Sequence, residues 1–180
     1  MTQPLPFLTT RTAAVPVEFF AALRTAFTGG DGGVDGLRDA GFQAGQAMFD
    51  VMAAWLADRG ERSPDLLSDE RFGQLASDFF DQHGWGEFEL TNLSDAVVAI
   101  DAPNWIEAEM TDTMGCQVST GMFAGFFGRI ADAPLAVMEV ECRARGDDRC
   151  RFLVSSVDVL AYVHEAMSRG IPYDRAAASA

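Results

Sequence analysis

The sequence contains no lysine. All 13 basic residues are arginine, they face 27 acidic residues, and the net charge of the 180-residue chain is −14. Without lysine, neither Schiff-base catalysis nor a Walker-type phosphate loop is available. An anionic chain without a basic stripe also repels phosphate backbones, so we expect no nucleic-acid partner.

Cysteine is scarce as well, and long apolar runs are missing. Three cysteines, an odd number without an N-terminal export signal, argue against a disulfide framework. The longest uncharged run, residues 113–128, has 16 residues and four glycines, which is too short for a membrane span. We therefore predict a cytoplasmic protein, or one that is peripheral to the membrane.

Apolar residues, in contrast, are abundant. They make up 48% of the chain and include 14 phenylalanines, which indicates an interface or an apolar cavity. Periodicity predicts helices over 16–27, 35–58 and 68–83, strands over 88–92 and 96–100, a helix over 114–130, strands over 135–145 and 149–155, and a helix over 156–169. This order indicates an α+β fold, in which an antiparallel sheet packs with helices. We predict an irregular segment over 1–15 and a single ligand-binding domain over 16–175.

The last two predicted strands form a hairpin that carries two cysteines. Pairing around its glycine- and aspartate-rich turn places Cys142 opposite Cys150, with β carbons about 4.5–5.5 Å apart, so that both sulfurs could hold one metal ion. Cys116, at the start of the preceding helix, and a carboxylate from Glu139 or Glu141 would complete a tetrahedron. The alternatives are buried thiols that act as small hydrophobes, or a labile disulfide.

Four arginines flank this hairpin, namely Arg143, Arg145, Arg149 and Arg151. Three thiolates and one carboxylate around a divalent cation leave a formal charge of about −2. The arginines therefore either offset this charge or form a solvated hairpin surface, and the sequence leaves both interpretations open.

Three motifs lie in this part of the chain: Gly115-Cys116, Glu139-Val140-Glu141-Cys142 and Gly146-Asp147-Asp148-Arg149-Cys150-Arg151-Phe152. With the glycine-rich helix between the first two, they resemble the 4-vinyl-reductase domain family. The resemblance implies that Cys116, Glu139, Cys142 and Cys150 hold a structural Zn²⁺ ion, as in the aromatic-sensing relatives, and it selects Glu139 over Glu141. The predicted fold is therefore stapled by zinc at its C-terminal hairpin.

Over its whole length the chain is similar to the bacteriochlorophyll-biosynthesis protein J group of this family. This resemblance implies a tetrapyrrole-binding accessory protein, a carrier or chaperone, of bacteriochlorophyll biosynthesis in photosynthesis. A Mg-porphyrin or chlorophyllide intermediate would be the ligand, pigment-biosynthesis enzymes the partners, and a homodimer the assembly. The alternatives are an 8-vinyl (formerly 4-vinyl) reductase of a divinyl chlorophyllide precursor and a sensor module for small aromatics.

The residues themselves argue against catalysis. Hydride transfer requires a nicotinamide or flavin, but the glycine-rich run at 29–33 follows a predicted helix and lacks the Gly-x-Gly-x-x-Gly spacing. A zinc ion with four protein ligands also has no open position for a substrate. We therefore expect a binding protein rather than an enzyme.

A binding protein requires an apolar pocket with a few polar groups. The glycine-rich helix is the predicted wall, with ordinary core or helix–helix packing as the alternative. His83 is predicted to be either the axial ligand of a magnesium tetrapyrrole or a helix cap, and Arg129 the partner of its propionates. The predicted ligand contacts are His83, Trp85, Trp105, Met122, Phe123, Phe126, Phe127 and Arg129.

Overall fold

A computed structural model describes residues 16–29, 33–110 and 115–180, so the predicted irregular segment over 1–15 lies outside the described residues. In chain order the helices and strands are α1 (Val17–Thr28), α2 (Gly33–Ala57), α3 (Asp69–Gln82), β1 (Glu89–Asn92), β2 (Val98–Ala102), α4 (Ile106–Glu109), α5 (Gln117–Ala131), β3 (Ala136–Glu141), β4 (Cys150–Ser155), α6 (Val157–Ser168) and α7 (Tyr173–Ala178). Short 3-10 helices lie at Pro64–Leu66 and Arg143–Arg145.

The four strands form one antiparallel sheet in the order β1-β2-β4-β3. Because side chains alternate along a strand, β4 contributes to two cores. Phe152 and Val154 pack with α2, α3 and α5, whereas Leu153 packs with α6 and α7 on the opposite face. The predicted α+β class with an antiparallel sheet is confirmed.

Helices α2 and α5 are in direct backbone contact through glycines. A β carbon at Gly45 would lie 2.0 Å from the carbonyl oxygen of Met122, and one at Gly121 would lie 1.9 Å from that of Arg38. No side chain fits in so small a gap. The glycine spacing of α5, for which the sequence left a ligand wall or a helix–helix contact open, is therefore a helix–helix contact.

Several predicted boundaries were wrong. β3 ends at Glu141 rather than at residue 145, because the chain turns into the 3-10 helix Arg143–Arg145 and then takes a left-handed conformation at Gly146, with φ 97°. The helices α4 and α7, of four and six residues, were not predicted because elements this short show little periodicity. The predicted start of the glycine-rich helix, at residue 114, lies outside the described residues.

Candidate metal centre and ligand cavity

The structure brings together the four side chains that were predicted to converge. Ligand atoms of Cys116, Glu139, Cys142 and Cys150 all lie within 4.8 Å of one another. The three thiols are free and fully buried. We call these four residues the metal cluster.

A β-bulge in β3 makes this arrangement possible. Residues three apart on a regular strand point to opposite faces, which would separate Glu139 from Cys142. However, Glu139 pairs with Phe152 while Glu141 pairs with Arg151, so Val140 is an extra residue. The bulge re-phases the strand and turns Glu139 and Cys142 to the same face. Pairing around Gly146 thus predicts the register next to the turn, and the bulge shifts the remaining pairs by one residue.

Gly115 and Cys116 bring the third sulfur from the opposite side. Gly115 has φ +73°, and a β carbon on it would lie 2.2 Å from Oε2 of Glu139, so both its conformation and its surroundings require glycine. The backbone N–H of Cys116 donates to the same oxygen at 3.0 Å. On the hairpin side, Asp147 Oδ2 accepts from the backbone N–H of Cys142 at 2.7 Å. Backbone hydrogen bonds therefore position the cluster from both sides.

The geometry fits a tetrahedral ion. The Cys116 sulfur lies 3.9 Å from that of Cys142 and 3.8 Å from that of Cys150. Zinc–sulfur bonds of about 2.3 Å place two sulfurs of a tetrahedron about 3.8 Å apart. These separations also exceed the ~2.05 Å of a disulfide bond, so that alternative does not describe this arrangement. In addition, Glu139 Oε1 is buried without a hydrogen-bond partner, as expected of an oxygen that faces a cation.

The ionisation of the cluster is strongly perturbed. Hydrogen bonds with Cys142 and Cys150 raise the pKa of the Cys116 thiol, and burial adds to the effect. Hydrogen bonds from Cys116 and Cys142 lower the pKa of Cys150 to about 4. Burial, followed by a hydrogen bond with Cys142, raises the pKa of Glu139 to about 7. The metal-free cluster therefore holds protons that a divalent cation would displace.

Two of the flanking arginines do not offset the charge of the cluster. Arg151 lies on the face of β4 opposite to Cys150 and forms two hydrogen bonds with Asp101, at 2.5 and 2.7 Å. Arg149 donates to Glu141 at 2.9 Å, and Tyr173 donates to the same carboxylate. This network joins the hairpin to α7 and accounts for the second carboxylate of the motif, because Glu141 has structural partners of its own.

The main apolar cavity described by the structure lies beneath α1, away from the core. Its volume is about 180 Å³. The lining residues come from α1, α2, α4, α5 and two connecting segments: Phe20, Leu23, Arg24, Phe27, Leu37, Ala40, Ala44, Trp85, Glu107, Met110 and Val118. Only two of these side chains are charged, and they are paired with each other.

Glu107 forms the polar end of this cavity, and the sequence did not single it out. It is 4% exposed, and burial raises the pKa of its carboxyl group. Oε1 accepts from Arg24 Nη1 at 3.1 Å and from the Val118 amide at 3.0 Å. Oε2 accepts from the Ser119 amide at 2.7 Å and from its hydroxyl at 2.5 Å. Since Cys116 makes no side-chain cap of α5, Glu107 caps this helix instead.

The predicted ligand contacts are dispersed by the structure. Trp105, Met122, Phe123 and Phe126 are fully buried in the core, where the Trp105 indole donates to Ser119 Oγ at 2.6 Å. They do not line the cavity beneath α1, because the close contact between α2 and α5 turns this side of α5 inward. Of the predicted set, Trp85 is the residue that lines this cavity.

Three further predicted contacts lie elsewhere. His83 caps the C-terminus of α3, with Nδ1 2.7 Å from the carbonyl oxygen of Phe79. Arg129 pairs with Asp50 at 2.9 Å on the surface. Phe127 lines a separate open groove of about 610 Å³ between α3, α5 and the sheet. A lone arginine on an apolar helix face, Arg24 between Phe20 and Phe27, is the signal that could have revealed the cavity from the sequence.

Comparison with known proteins agrees with the motifs of the metal cluster. Residues 98–156 match the 4-vinyl-reductase (V-4-R) domain family. The match covers about a third of the chain and includes all four residues of the metal cluster. An uncharacterized protein of Methanocaldococcus jannaschii is 28% identical over 102 residues, which cover 57% of this chain and 56% of that protein. The chain thus spans little more than half the length of this curated relative.

Solved structures share the fold. The phenol-responsive sensory domain of the transcription activator PoxR, determined with phenol, has a TM-score of 0.64 and 14% identity over 82% of this chain and 78% of that domain. A vinyl-4-reductase family protein from Methanocaldococcus jannaschii has a TM-score of 0.56 and 18% identity over 84% and 88%. A trafficking protein particle complex subunit 3 from Naegleria fowleri, covalently bound to palmitic acid, has a TM-score of 0.56 and 13% identity over 77% and 93%. At these identities the likeness shows the fold.

In the part of the chain that the structure describes, none of the helices combines the length and the apolar character needed to cross a membrane.

Proposed function

We propose that this chain is a zinc-stapled binding module whose cavity beneath α1 takes a small, planar, largely apolar molecule. The observation that carries the proposal is the apolar cavity of about 180 Å³, whose polar end is already hydrogen-bonded. The metal cluster supports this cavity, because Cys116 immediately precedes the helix that supplies Val118 to its wall.

The ligand set favours zinc with a structural role. Three thiolates and one carboxylate at tetrahedral spacing suit Zn²⁺, and four protein ligands leave no open position for a substrate. When bound, zinc joins the hairpin to the start of α5 and contributes to the free energy of folding. The test is elemental analysis of gently purified protein, with one zinc per chain expected. Protein that folds without any stoichiometric metal would contradict this part of the proposal.

The cavity volume supports a ligand of about one aromatic ring. An engineered protein cavity of about 150 Å³ is known to bind benzene, whereas drug-sized ligands occupy roughly 300–1,000 Å³. The cavity beneath α1 falls near the lower of these values. The PoxR sensory domain, which has the same fold, was determined with phenol, and this supports a ligand of similar size here.

The polar end of the cavity limits the chemistry of the ligand. A carboxylate offers about four lone-pair sites, and those of Glu107 accept four hydrogen bonds. A charged ligand would enter an apolar space without an available counter-charge from this group, at a large desolvation cost. We therefore expect toluene and phenol to bind more tightly than benzoate.

The test is calorimetry with these three compounds and two variants. Ala44 lines the cavity, and Ala44→Phe should fill it and abolish binding. Ala161 is exposed on α6, beyond the opposite face of the sheet, and Ala161→Phe is the matched control that should bind as the parent protein does. Equal binding by both variants, or no binding of any aromatic by the zinc-loaded parent, would refute the cavity as the ligand site.

The tetrapyrrole carrier of the bacteriochlorophyll-biosynthesis protein J group is a second candidate, favoured by the larger groove. This groove has a volume of about 610 Å³ and an apolar lining that includes Phe72, Ile100, Phe127 and Leu135. A macrocycle is too large for the cavity beneath α1, but the groove matches its size class. Phe127 is the predicted ligand contact that lies there.

A pigment titration distinguishes the two candidates. A magnesium porphyrin monoester that binds the groove should shift its Soret band saturably, and Phe127→Ala should weaken the shift while Ala44→Phe leaves it unchanged. An unchanged spectrum at micromolar protein concentration would exclude the carrier function. The reductase alternative predicts conversion of a divinyl to a monovinyl pigment by the same protein with a supplied reductant, measured by chromatography.

A further inference from the structure

Arg24 contacts both sites of the molecule from helix α1. Its side chain is 11% exposed, and its guanidinium donates through Nη1 to Glu107 Oε1 at 3.1 Å and through Nη2 to the carbonyl oxygen of Gly115 at 2.8 Å. Glu107 is the polar end of the cavity, and Gly115 directly precedes the metal-cluster residue Cys116. One side chain thus connects the cavity, the metal cluster and α1.

The position of the Gly115 carbonyl depends on the metal cluster. Gly115 packs against Glu139 Oε2 so closely that a β carbon would lie 2.2 Å from it, and the adjacent Cys116 amide donates to the same oxygen. An ion held by Cys116 Sγ and Glu139 Oε1 would fix both residues. The carbonyl that receives Arg24 would then be fixed with them.

Helix α1 has few other attachments. Its N-cap residue, Pro16, provides no side-chain cap, and Val17, Phe19 and Leu23 are exposed. Apart from its packing on α2 across the cavity, its aromatic contact to the rest of the domain is Phe20 against Trp85, with ring centroids 5.9 Å apart. Segments with little buried apolar contact open at low free-energy cost, so a hydrogen bond from a charged group can decide whether α1 stays closed.

We propose that Arg24 couples the two sites: metal bound at the cluster holds the Gly115 carbonyl in place, and Arg24 uses this carbonyl to close α1 over the cavity. Because such coupling is reciprocal, a ligand in the cavity also slows the loss of metal. The second statement depends on the proposed function, whereas the first does not.

Hydrogen exchange tests the coupling without any ligand. Exchange of the α1 amides is compared between zinc-loaded protein and protein stripped by a chelator, for the parent, Arg24→Gln and Arg129→Gln. Arg129 is the control, because it forms an exposed interhelical ion pair with Asp50 away from the cluster. In the parent, metal removal should speed α1 exchange about tenfold to a hundredfold, the range expected for a hydrogen bond to a charged group. In Arg24→Gln, exchange should already be fast with zinc bound. Arg129→Gln should behave as the parent.

Helix α6 is the internal reference, since it packs on the opposite face of the sheet. An equal rise of exchange in α6 would mean that metal removal acts on the whole domain, and this would overturn the proposal. So would an α1 exchange rate that ignores the metal, or that keeps the parent's metal dependence in Arg24→Gln.

A second measurement separates this proposal from the proposed function. The rate of zinc transfer to a chromophoric chelator is measured with and without toluene. Toluene should slow the transfer from the parent and leave Arg24→Gln unaffected. If toluene does not bind at all, the cavity function fails, and the exchange comparison still decides the coupling by itself.

Discussion

The metal cluster and the cavity beneath α1 are neighbours that are built in opposite ways. The cluster is made of four side chains whose positions are fixed by a bulge, a left-handed glycine and three backbone hydrogen bonds from flanking amides. The cavity is enclosed by eleven residues from several elements, and one wall is a helix with exposed apolar residues. Rigidity at the first site therefore supports an opening at the second.

The comparison explains where specificity resides in this molecule. A site that needs correct bond lengths requires particular residues at particular spacings. A site that needs only an apolar space of suitable size can be lined by many combinations of residues. We therefore expect substitutions in the cluster to affect stability most, and substitutions around the cavity to affect ligand choice.

The largest expected effect is that of Cys142→Ser. Loss of one thiolate should abolish stoichiometric zinc and lower the free energy of unfolding by at least about 4 kcal/mol, because metal binding contributes to folding. This corresponds to a fall in Tm of about 10 °C or more for a chain of this size. Thermal melts with added zinc measure the difference, and melts with a chelator should make the parent and the variant coincide. Identical melting in excess zinc would show that the cluster is not a staple.

The next effect concerns the frame that carries both sites. Gly45→Ala would place a β carbon 2.0 Å from a carbonyl of α5, so the helices must separate, and we expect a loss of about 3 kcal/mol or more. Gly73→Ala is the matched control, because Gly73 also lies within a helix but its new β carbon would meet only ordinary contacts with Leu90, at 3.7 Å. The control should be neutral or more stable by up to about 1 kcal/mol. Chemical denaturation measures both, and equal stabilities would refute the close contact.

The sequence predicts the cluster better than the cavity for a physical reason. Cys116, Cys142 and Cys150 are rare residues in short motifs, and the hairpin turn sets two of them opposite each other. Glu139 needed the family resemblance, because the bulge that turns it toward Cys142 leaves no mark in the residue pattern. No comparable motif exists for the cavity.

Arg24 and Glu107 illustrate why the cavity could not be predicted. The two residues are 83 positions apart in the chain, so only the packing of α1 on the rest of the domain brings them together. Likewise, Trp105 and Phe123 are aromatic residues typical of a pocket, yet the glycine contact between α2 and α5 places them in the core. Helix positions could be predicted from periodicity, whereas the side on which two helices meet could not.

A smaller effect distinguishes the two carboxylates of β3. Glu139→Gln removes a charged metal ligand and should weaken zinc affinity about 10- to 100-fold. Glu141→Gln, two residues along the same strand, should leave zinc affinity unchanged, because Glu141 faces Arg149 and Tyr173 on the other side of the sheet. Competition with a chromophoric chelator measures both affinities. A larger loss in Glu141→Gln would mean that the bulge does not select the ligand.

The smallest effect is a pH dependence in the metal-free protein. Burial raises the pKa of Glu139 from 4.5 to about 7, so the folded state binds a proton that the unfolded state has released. The contribution of this carboxyl group to stability is therefore fully present below about pH 4.5 and is lost as the pH rises through about 7. Cys150 acts in the opposite sense, because its pKa is lowered to about 4 and its contribution grows with pH. The total slope is thus a poor measure of Glu139 alone.

The difference between the parent and Glu139→Gln isolates the carboxyl group, since Cys150 is common to both proteins. With a chelator present, the parent should lose stability relative to the variant as the pH rises from about 5 to about 7, by at most about 1.4 kcal/mol per pH unit. With zinc bound the relation should reverse, because the ion displaces this proton and gains affinity as the pH rises. Urea denaturation across this range measures both. A parent that gains on the variant without metal would mean that the Glu139 carboxyl group is not held protonated in the metal-free fold, and the contrast between a preformed ion site and an adaptable cavity would lose its electrostatic support.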